Sequence, residues 1–355
     1  MTQSGKIKSM DRALKGAAYL ILVWIIGYLL IMGKSLLIPI IIAIFIWNLL
    51  NTLNATILRT PVIGARLPYW LSMVFSLLVV AGLLTVLINI ITNNVNDVIG
   101  ASSRYQANLT RIFHSIDQYY SVKILNSVDG LLKNLNVQSI LVNLYGVFST
   151  LMGSAVLIAI YIVFLFVEQH FFQQKINALF PQPAHRVLVD RIISQISKDI
   201  QTYLGLKTVM GLITASASWI IMRWVGLDFA EFWALLIFFL NYIPNIGAIV
   251  ATAFPALLAI IQFQSWVPFM IITAGIVTVQ FIIGNLVEPR FLGKSLNLSP
   301  LVILFMLGLW GMVWGILGMF LSVPITVMMM IIFAHFDATR PIAILLSQDG
   351  YIKTI

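Results

Sequence analysis

The chain contains no cysteine and very few charged residues. Charged side chains make up 9% of the 355 residues, whereas soluble domains carry about 25%. Apolar residues make up 60%, and the mean hydropathy is +1.00. Without cysteine the chain has no disulfide, no thiol nucleophile and no cysteine-ligated metal. The scarcity of charge excludes a soluble protein and indicates one that crosses a membrane several times.

Motifs for catalysis and for cofactor binding are also missing. The four histidines are scattered without metal-ligand spacing, and the sequence has no phosphate-binding loop and no nucleophile–base pair. We therefore predict a protein that is not an enzyme and needs no cofactor or metal. The net charge of +9 is typical of basic loops on the cytoplasmic side of a membrane, so it does not indicate nucleic acid binding.

Long apolar segments divide the chain into candidate membrane spans of about 20 residues. They lie at 17–33, 35–50, 69–92, 147–167, 205–225, 230–262, 266–287 and 300–336. The first is interpreted as an uncleaved span, because apolar character resumes directly after Lys34 and Ser35. The runs 230–262 and 300–336 are too long for one helix and too short for two spans with a loop. Each therefore predicts a helical hairpin, either re-entrant or fully spanning.

These segments predict an all-α, polytopic membrane protein with about six full spans and two hairpins. The predicted segments are N-terminal spans at 1–92, an extramembrane amphipathic helical segment at 93–146, a span plus cytoplasmic helices at 147–204, span-plus-hairpin units at 205–262 and 263–336, and a cytoplasmic tail at 337–355.

With alternating spans, most of the 21 lysines and arginines fall on the side of the N-terminus, which predicts that both termini are cytoplasmic. Segment 93–146 is predicted to be a connector, with an oligomer contact or a gating arm as the alternative.

The two span-plus-hairpin units resemble each other. VGLDFAEFWALLIF, from Val225, aligns without gaps with KSLNLSPLVILFML, from Lys294, and the same offset superposes Pro255 on Pro324. Because the first unit starts inside and the second outside, the two would form an inverted repeat. Transporters often use this plan, with the substrate site where the repeats meet.

The first hairpin carries the polar stretch LNYIPNIGA inside an apolar run. The helix is expected to stop there, because Pro244 lacks an amide donor and Gly247 tolerates unusual dihedral angles. Asn241 and Asn245 would then form a polar tip that lines a transport route; a simple chain reversal is the alternative. At the corresponding tip, GLWGMVWGILG, glycines and tryptophans would allow close backbone approach instead.

A second polar stretch, GNLVEPRFLGKSLNLSP, places charge at the end of a span. Glu288 is a candidate proton carrier or an acceptor of hydrogen bonds from a polyol. The alternative is an interfacial ion pair with Arg290 or Lys294. Asn285, three residues earlier, is expected to share the face of Glu288. The candidate pathway residues are Asn241, Tyr242, Pro244, Asn245, Gly247, Gln280, Asn285, Glu288 and Arg290.

Two further acids, Asp228 and Glu231, precede the first hairpin. They are interpreted as acids at a helix N-terminus, where the helix dipole favours negative charge, with an electronegative vestibule as the alternative.

Three motifs together, LNYIPNIGA, GNLVEPRFLGKSLNLSPLVILF and GMFLSVPIT, resemble those of the autoinducer-2 exporter family of the bacterial inner membrane. The likeness covers nearly the whole chain and is greatest for the branch that transports quorum-sensing signal. It implies a multispan exporter of a small, furanone-like, polyhydroxylated signal that works in the lipid bilayer as a homo-oligomer, a pentamer. It also assigns the family's turn motif to 244–247 and its charged motif to 288–290.

Two other functions stay open beside the exporter. Some relatives resemble sodium(lithium)/proton antiporters, in which Glu288 would carry the proton. A non-transporting membrane scaffold, with 93–146 as its interaction arm, is the second alternative. Transport is favoured because a scaffold has no use for inverted, interrupted helices.

Overall fold

The computed structural model describes residues 24–59, 153–292 and 297–351, with shorter pieces between 17 and 22, between 71 and 90, between 104 and 112, and at 146. In this part the chain is almost entirely helical, and one isolated bridge, Leu298 to Ser347, is its only strand-like pairing. The predicted all-α, polytopic fold is confirmed. Most of the predicted extramembrane segment and part of the span at 69–92 lie outside the described residues.

The helices follow one another with short connections. In chain order they are α1 (Lys34–Arg59), α2 (Ala155–Leu179), α3 (Pro183–Val225), α4 (Ala230–Leu240), α5 (Ile246–Phe263), α6 (Trp266–Phe281), α7 (Glu288–Leu292), α8 (Pro300–Trp314), α9 (Ile316–Ala334) and α10 (Arg340–Leu346). A π-helical turn, Ile282–Val287, joins α6 to α7. Residues 24–32 are also helical and meet α1 at Gly33. The Gly33 N–H donates to the Leu29 carbonyl, and the Gly33 carbonyl accepts from the Leu37 N–H.

Six stretches of the described chain are long and apolar enough to cross a membrane. They are Lys34–Asn54, Ala155–Leu179, Pro183–Val225, Ile246–Phe263, Trp266–Phe291 and Ile316–Ala334. The apolar helices α4 and α8 are shorter. Each long apolar run of the sequence is thus divided into a short helix and a longer one that pack against each other. We call α4–α5 hairpin one and α8–α9 hairpin two.

Helix α3 is the centre of the described bundle. It starts with Pro183 at its first position and ends at Gly226, whose left-handed backbone (φ 84°) closes the helix. It contacts α1, α4, α6, α7 and α9. Its buried residues repeat at helical spacing: Tyr203, Leu204, Lys207, Met210, Gly211, Thr214, Ala215, Ser218 and Met222. This face is apolar at most positions but carries several polar side chains, and it therefore positions the candidate site.

Candidate functional site

The turn of hairpin one, residues 241–245, is hydrogen-bonded to α3. The side-chain amide of Asn241 donates to the Thr214 hydroxyl at 3.1 Å. The Tyr242 hydroxyl lies 2.6 Å from the Thr208 hydroxyl. Thr208 already donates its proton to a carbonyl of its own helix at 2.7 Å, so Tyr242 is the donor of this bond. The polar groups of the turn therefore find partners inside the protein.

The ring of Tyr242 joins three other elements at the same place. Only 2% of this residue is exposed. Its ring centroid lies 6.1 Å from that of Phe45 on α1, 5.7 Å from that of Phe238 on α4 and 4.4 Å from that of Phe320 on α9. The turn of hairpin one is therefore held against both α3 and hairpin two.

The backbone of this turn differs from the prediction in one respect. The residue with a left-handed backbone is Asn245 (φ 59°), whereas Gly247 is already helical. Glycine is required at 247 for a different reason: a Cβ there would lie 1.8 Å from the Leu240 carbonyl oxygen. The prediction of unusual dihedral angles at Gly247 is therefore corrected to close approach of the backbone.

The turn of hairpin two is tighter, because Gly315 alone separates α8 from α9. Gly315 takes the left-handed position (φ 65°). A Cβ at Gly318 would lie 1.9 Å from the Trp310 carbonyl oxygen. The Trp314 indole N–H donates to the Leu30 carbonyl at 3.0 Å, at the end of the helix that precedes α1. Close backbone approach replaces polar side chains at this tip, as predicted.

An ion pair is buried between α3 and α7. The Lys207 Nζ lies 2.5 Å from the Glu288 Oε1, and the two side chains are 8% and 15% exposed. The alternative predicted for Glu288 was an interfacial ion pair with Arg290 or Lys294, and Lys207 was not considered as its partner. Arg290 is instead exposed, and Lys294 lies outside the described residues.

The π-helical turn places Glu288 in this position. It spans Ile282–Val287 and none of its residues is buried. A π turn accommodates one residue more than an α turn, so it rotates everything that follows relative to α6. Glu288 consequently points to α3, whereas Asn285 is exposed. The two residues do not share the inward face expected from uniform α-helical spacing.

The remaining predicted pathway residues lie at several depths. Pro244 is half-buried and Asn245 is exposed at the turn. Gln280 lies on α6 with a buried amide nitrogen. The structure therefore brings Asn241, Tyr242 and the charge of Glu288 against α3, and it leaves Asn245, Asn285 and Arg290 at the surface of the described chain.

Sequence reasoning missed the contribution of α3. Its polar residues on the buried face are Tyr203, Lys207, Thr214 and Ser218, and the Tyr203 hydroxyl lies 3.5 Å from the Tyr242 carbonyl. The signal was present, because these residues recur at spacings of four and seven residues in and beside the predicted span 205–225. Threonine and serine in an apolar helix were not weighed as partners for the asparagines of the turn.

A polar cleft lies near the start of α3. It has a volume of about 510 Å³ and is lined by residues of α2 and α3 that include Gln173, Asp190, Ser197, Lys198 and Gln201. The Gln173 amide donates to the Asp190 carboxylate at 3.2 Å and so links the two helices. This cleft falls in the segment predicted to be cytoplasmic.

The two acids before hairpin one are both paired. Asp228 accepts hydrogen bonds from Arg104 at 2.6 Å and from the Tyr105 hydroxyl at 2.7 Å. Glu231 accepts a hydrogen bond from the Trp219 indole at 3.2 Å and lies 3.7 Å from Arg223. These pairings favour the interpretation as helix-start acids over an open electronegative vestibule.

The described part of segment 93–146 docks on the base of hairpin one. Tyr105 is 1% exposed and packs edge-on against Phe229. The Asn108 amide donates to the Ile261 carbonyl at 3.0 Å. Burial raises the pKa of the Tyr105 phenol, and its hydrogen bond to Asp228 raises it further. Residues 104–108 thus bridge the start of α4 and the end of α5, and we call them the docking segment.

An apolar helical bundle with six helices long enough to cross a membrane, hydrogen-bonded turns and an ion pair in its interior is that of a multi-pass membrane protein. Residues 19–338 match the sequence profile of the AI-2E family transporters. The chain belongs to this family.

Several relatives share most of its length. The AI-2 transport protein TqsA of Escherichia coli (strain K12) is 28% identical over 321 residues, which cover 89% of this chain and 90% of TqsA. YhhT of the same organism, named only as a candidate transport protein, is 27% identical over 83% of each chain. A candidate transport protein of Haemophilus influenzae is 25% identical over 96% of this chain and 97% of its own.

Proposed function

We propose that the protein exports a small polar signalling molecule, autoinducer-2 or a molecule of similar chemistry, across the bacterial inner membrane. Membership of the AI-2E transporter family supports transport, and the name of TqsA, an AI-2 transport protein, supports the substrate. The substrate class is a neutral polyhydroxylated molecule, which needs hydrogen-bond donors and acceptors along its route.

The observation that carries this proposal is the polar cluster around the turn of hairpin one. Amide and hydroxyl groups meet there inside an apolar bundle, through the Asn241–Thr214 and Tyr242–Thr208 hydrogen bonds, and the Lys207–Glu288 ion pair starts from the α3 residue next to Thr208. Polar groups in a membrane interior are costly and usually serve function. A hydroxylated substrate can exchange hydrogen bonds with each of them. The proposed route contains the nine predicted pathway residues together with these α3 partners.

We further propose that the hairpins are re-entrant and belong to an inverted repeat. Both turns have a residue with positive φ, Asn245 and Gly315, followed by a glycine in close backbone contact. Both second helices contain a buried proline, Pro255 and Pro324. We also propose that both termini lie in the cytoplasm, which the charge distribution of the sequence supports, and that the protein is a homo-oligomer, which the family resemblance supports.

Flux through proteoliposomes tests the proposal. Purified protein is reconstituted, labelled autoinducer-2 is loaded on one side, and efflux is followed with and without imposed sodium and proton gradients. We expect signal flux in the native protein and a strong reduction in Asn241→Ala and Glu288→Gln, because both remove a hydrogen-bonding group from the route. Glu231→Gln is the matched control, since it neutralises an acid that is paired outside the polar cluster.

The antiporter alternative is supported by one specific observation, the burial of Glu288 against a cation. A lysine ammonium and a transported cation or proton can compete for the same carboxylate. In that case the gradients would drive cation exchange without signal flux, and Glu288→Gln would abolish both the exchange and its pH dependence. Flux of the signal without cation movement would exclude the antiporter.

A further inference from the structure

Three buried polar groups on α3 and α6 have no hydrogen-bond partner within the described residues. They are the hydroxyls of Ser218 and Thr273 and the side-chain amide nitrogen of Gln280. Ser218 lies on the buried face of α3 and is 0% exposed. Thr273 and Gln280 lie on α6, which packs against α3. A polar group without a partner is strongly unfavourable in a membrane interior, and water is a partner that these groups can bind there.

The two α6 groups lie on the same side of their helix as Glu288. Thr273 and Gln280 are seven residues apart, which is two helical turns, so they share one face of α6. Glu288 follows eight residues after Gln280 and would leave that face in a uniform α-helix. The π turn Ile282–Val287 absorbs the additional residue. Thr273, Gln280 and Glu288 therefore lie along one stripe on the interior side.

We propose that this stripe, with Ser218 beside it, holds water molecules that lead from Glu288 towards the Trp266 end of α6. Buried water characteristically binds polar groups that lack a protein partner. From Thr273 to Glu288 the stripe is roughly 20 Å long, a large part of a hydrocarbon core about 30 Å thick. The inference goes beyond the proposed function, because it concerns access of water and protons to Glu288 whether the cargo is a signal molecule or a cation.

Such access would reach the ion pair. Within the described chain, the charged group that contacts Glu288 is the Lys207 ammonium, and Tyr203 lies about one turn before Lys207 on the same buried face of α3. Water at this end of the stripe would hydrate the charges that join α7 to α3.

Cysteine labelling tests this proposal directly, because the chain has no cysteine of its own. Methanethiosulfonate reagents react with thiols that water reaches. We expect a small hydrophilic reagent to label Ser218→Cys and Gln280→Cys in intact proteoliposomes. Met222→Cys and Ile276→Cys are the matched controls: both native residues are 0% exposed and lie one helical turn from the test positions. We expect no labelling at the controls.

Two results would overturn the proposal. If Ser218→Cys and Gln280→Cys are as unreactive as the controls, the stripe is dry. If all four positions react alike, access is general and does not follow the polar groups. Size-exclusion profiles confirm the fold of each variant, and Thr273→Cys with Ile272→Cys supplies a second matched pair. Ser218 and Thr273 lie outside the proposed substrate route, so labelling at these two positions distinguishes the water-filled stripe from that route.

Discussion

The ion pair between Lys207 and Glu288 is the contact that we expect to be most sensitive to substitution. Both charges lie in the interior of the helical bundle, and the pair joins α3 to the helix that follows the π turn. Burial of two charges is costly, and their mutual attraction offsets that cost only while both partners are present. The pair therefore adds little to overall stability, but replacing one of its two residues is expected to be strongly destabilising.

Removing one partner is expected to be much more harmful than removing both. Lys207→Met leaves a buried carboxylate without its cation and should destabilise the protein by about 3–5 kcal/mol. The double variant Lys207→Met, Glu288→Met buries two apolar side chains instead and should recover most of the stability. The measurement is the thermal unfolding midpoint in detergent, followed by tryptophan fluorescence.

Transport separates the structural role of the pair from a functional one. If Glu288 lines the route, the double variant folds but carries no flux. Full flux in a stable double variant would remove Glu288 from the proposed pathway. Equal stability of the single and double variants would contradict a desolvated ion pair.

At the scale of elements, the two hairpin turns depend on close backbone approach. Gly247→Ala would place a methyl group against the Leu240 carbonyl, so the turn must open; we expect destabilisation of about 1–3 kcal/mol and loss of transport. Gly308→Ala is the matched control, because no atom lies within 4 Å of a Cβ added at this position in α8. Unfolding midpoints and proteoliposome flux are compared for the two variants. A normal Gly247→Ala protein would contradict the described turn.

The contacts of the docking segment differ in how deeply they are buried. The Arg104–Asp228 pair is largely exposed, with 62% of the arginine side chain accessible, and exposed pairs contribute about 0–1 kcal/mol. Tyr105 is almost fully buried, and removing a buried aromatic ring costs about 3–5 kcal/mol. We therefore expect Tyr105→Ala to release the segment and Arg104→Ala to leave it docked. Hydrogen exchange at residues 104–112 measures the difference; equal protection in both variants would contradict docking through Tyr105.

The docking should also resist alkaline pH. Because the pKa of Tyr105 is raised in the folded protein, the protonated phenol is favoured there. Its contribution is fully present below the ordinary tyrosine pKa of about 10 and is lost as the pH rises above it. Protection at residues 104–112 is accordingly expected to be constant between about pH 6 and pH 9.

At the scale of the whole molecule, hydropathy sufficed to predict an all-α polytopic fold, because helices are the means by which apolar chains satisfy their backbone in lipid. Run length also predicted the division of 230–262 and 300–336 into helix pairs. The partner of Glu288 was not predictable from local spacing. Lys207 lies far from Glu288 in the sequence. The direction in which Glu288 points from its helix depends on a π turn, and no residue type in the sequence marks that turn. The partners of the polar side chains on α3 can be identified only in the structure, where hairpin one packs against α3.

The exposed surface of α2 bears on whether the protein assembles into an oligomer. Helix α2 is highly apolar, yet only Ile158 and Ile176 are buried on it, and Val156 and Phe164 are 74% and 64% exposed. Lipid alone can cover such a helix, because lipid tails are as apolar as the side chains. The family resemblance instead predicts a homo-oligomer, so native mass spectrometry from lipid nanodiscs should give five chain masses of 39.7 kDa each. A single chain mass would contradict the pentamer and assign the exposed surface of α2 to lipid.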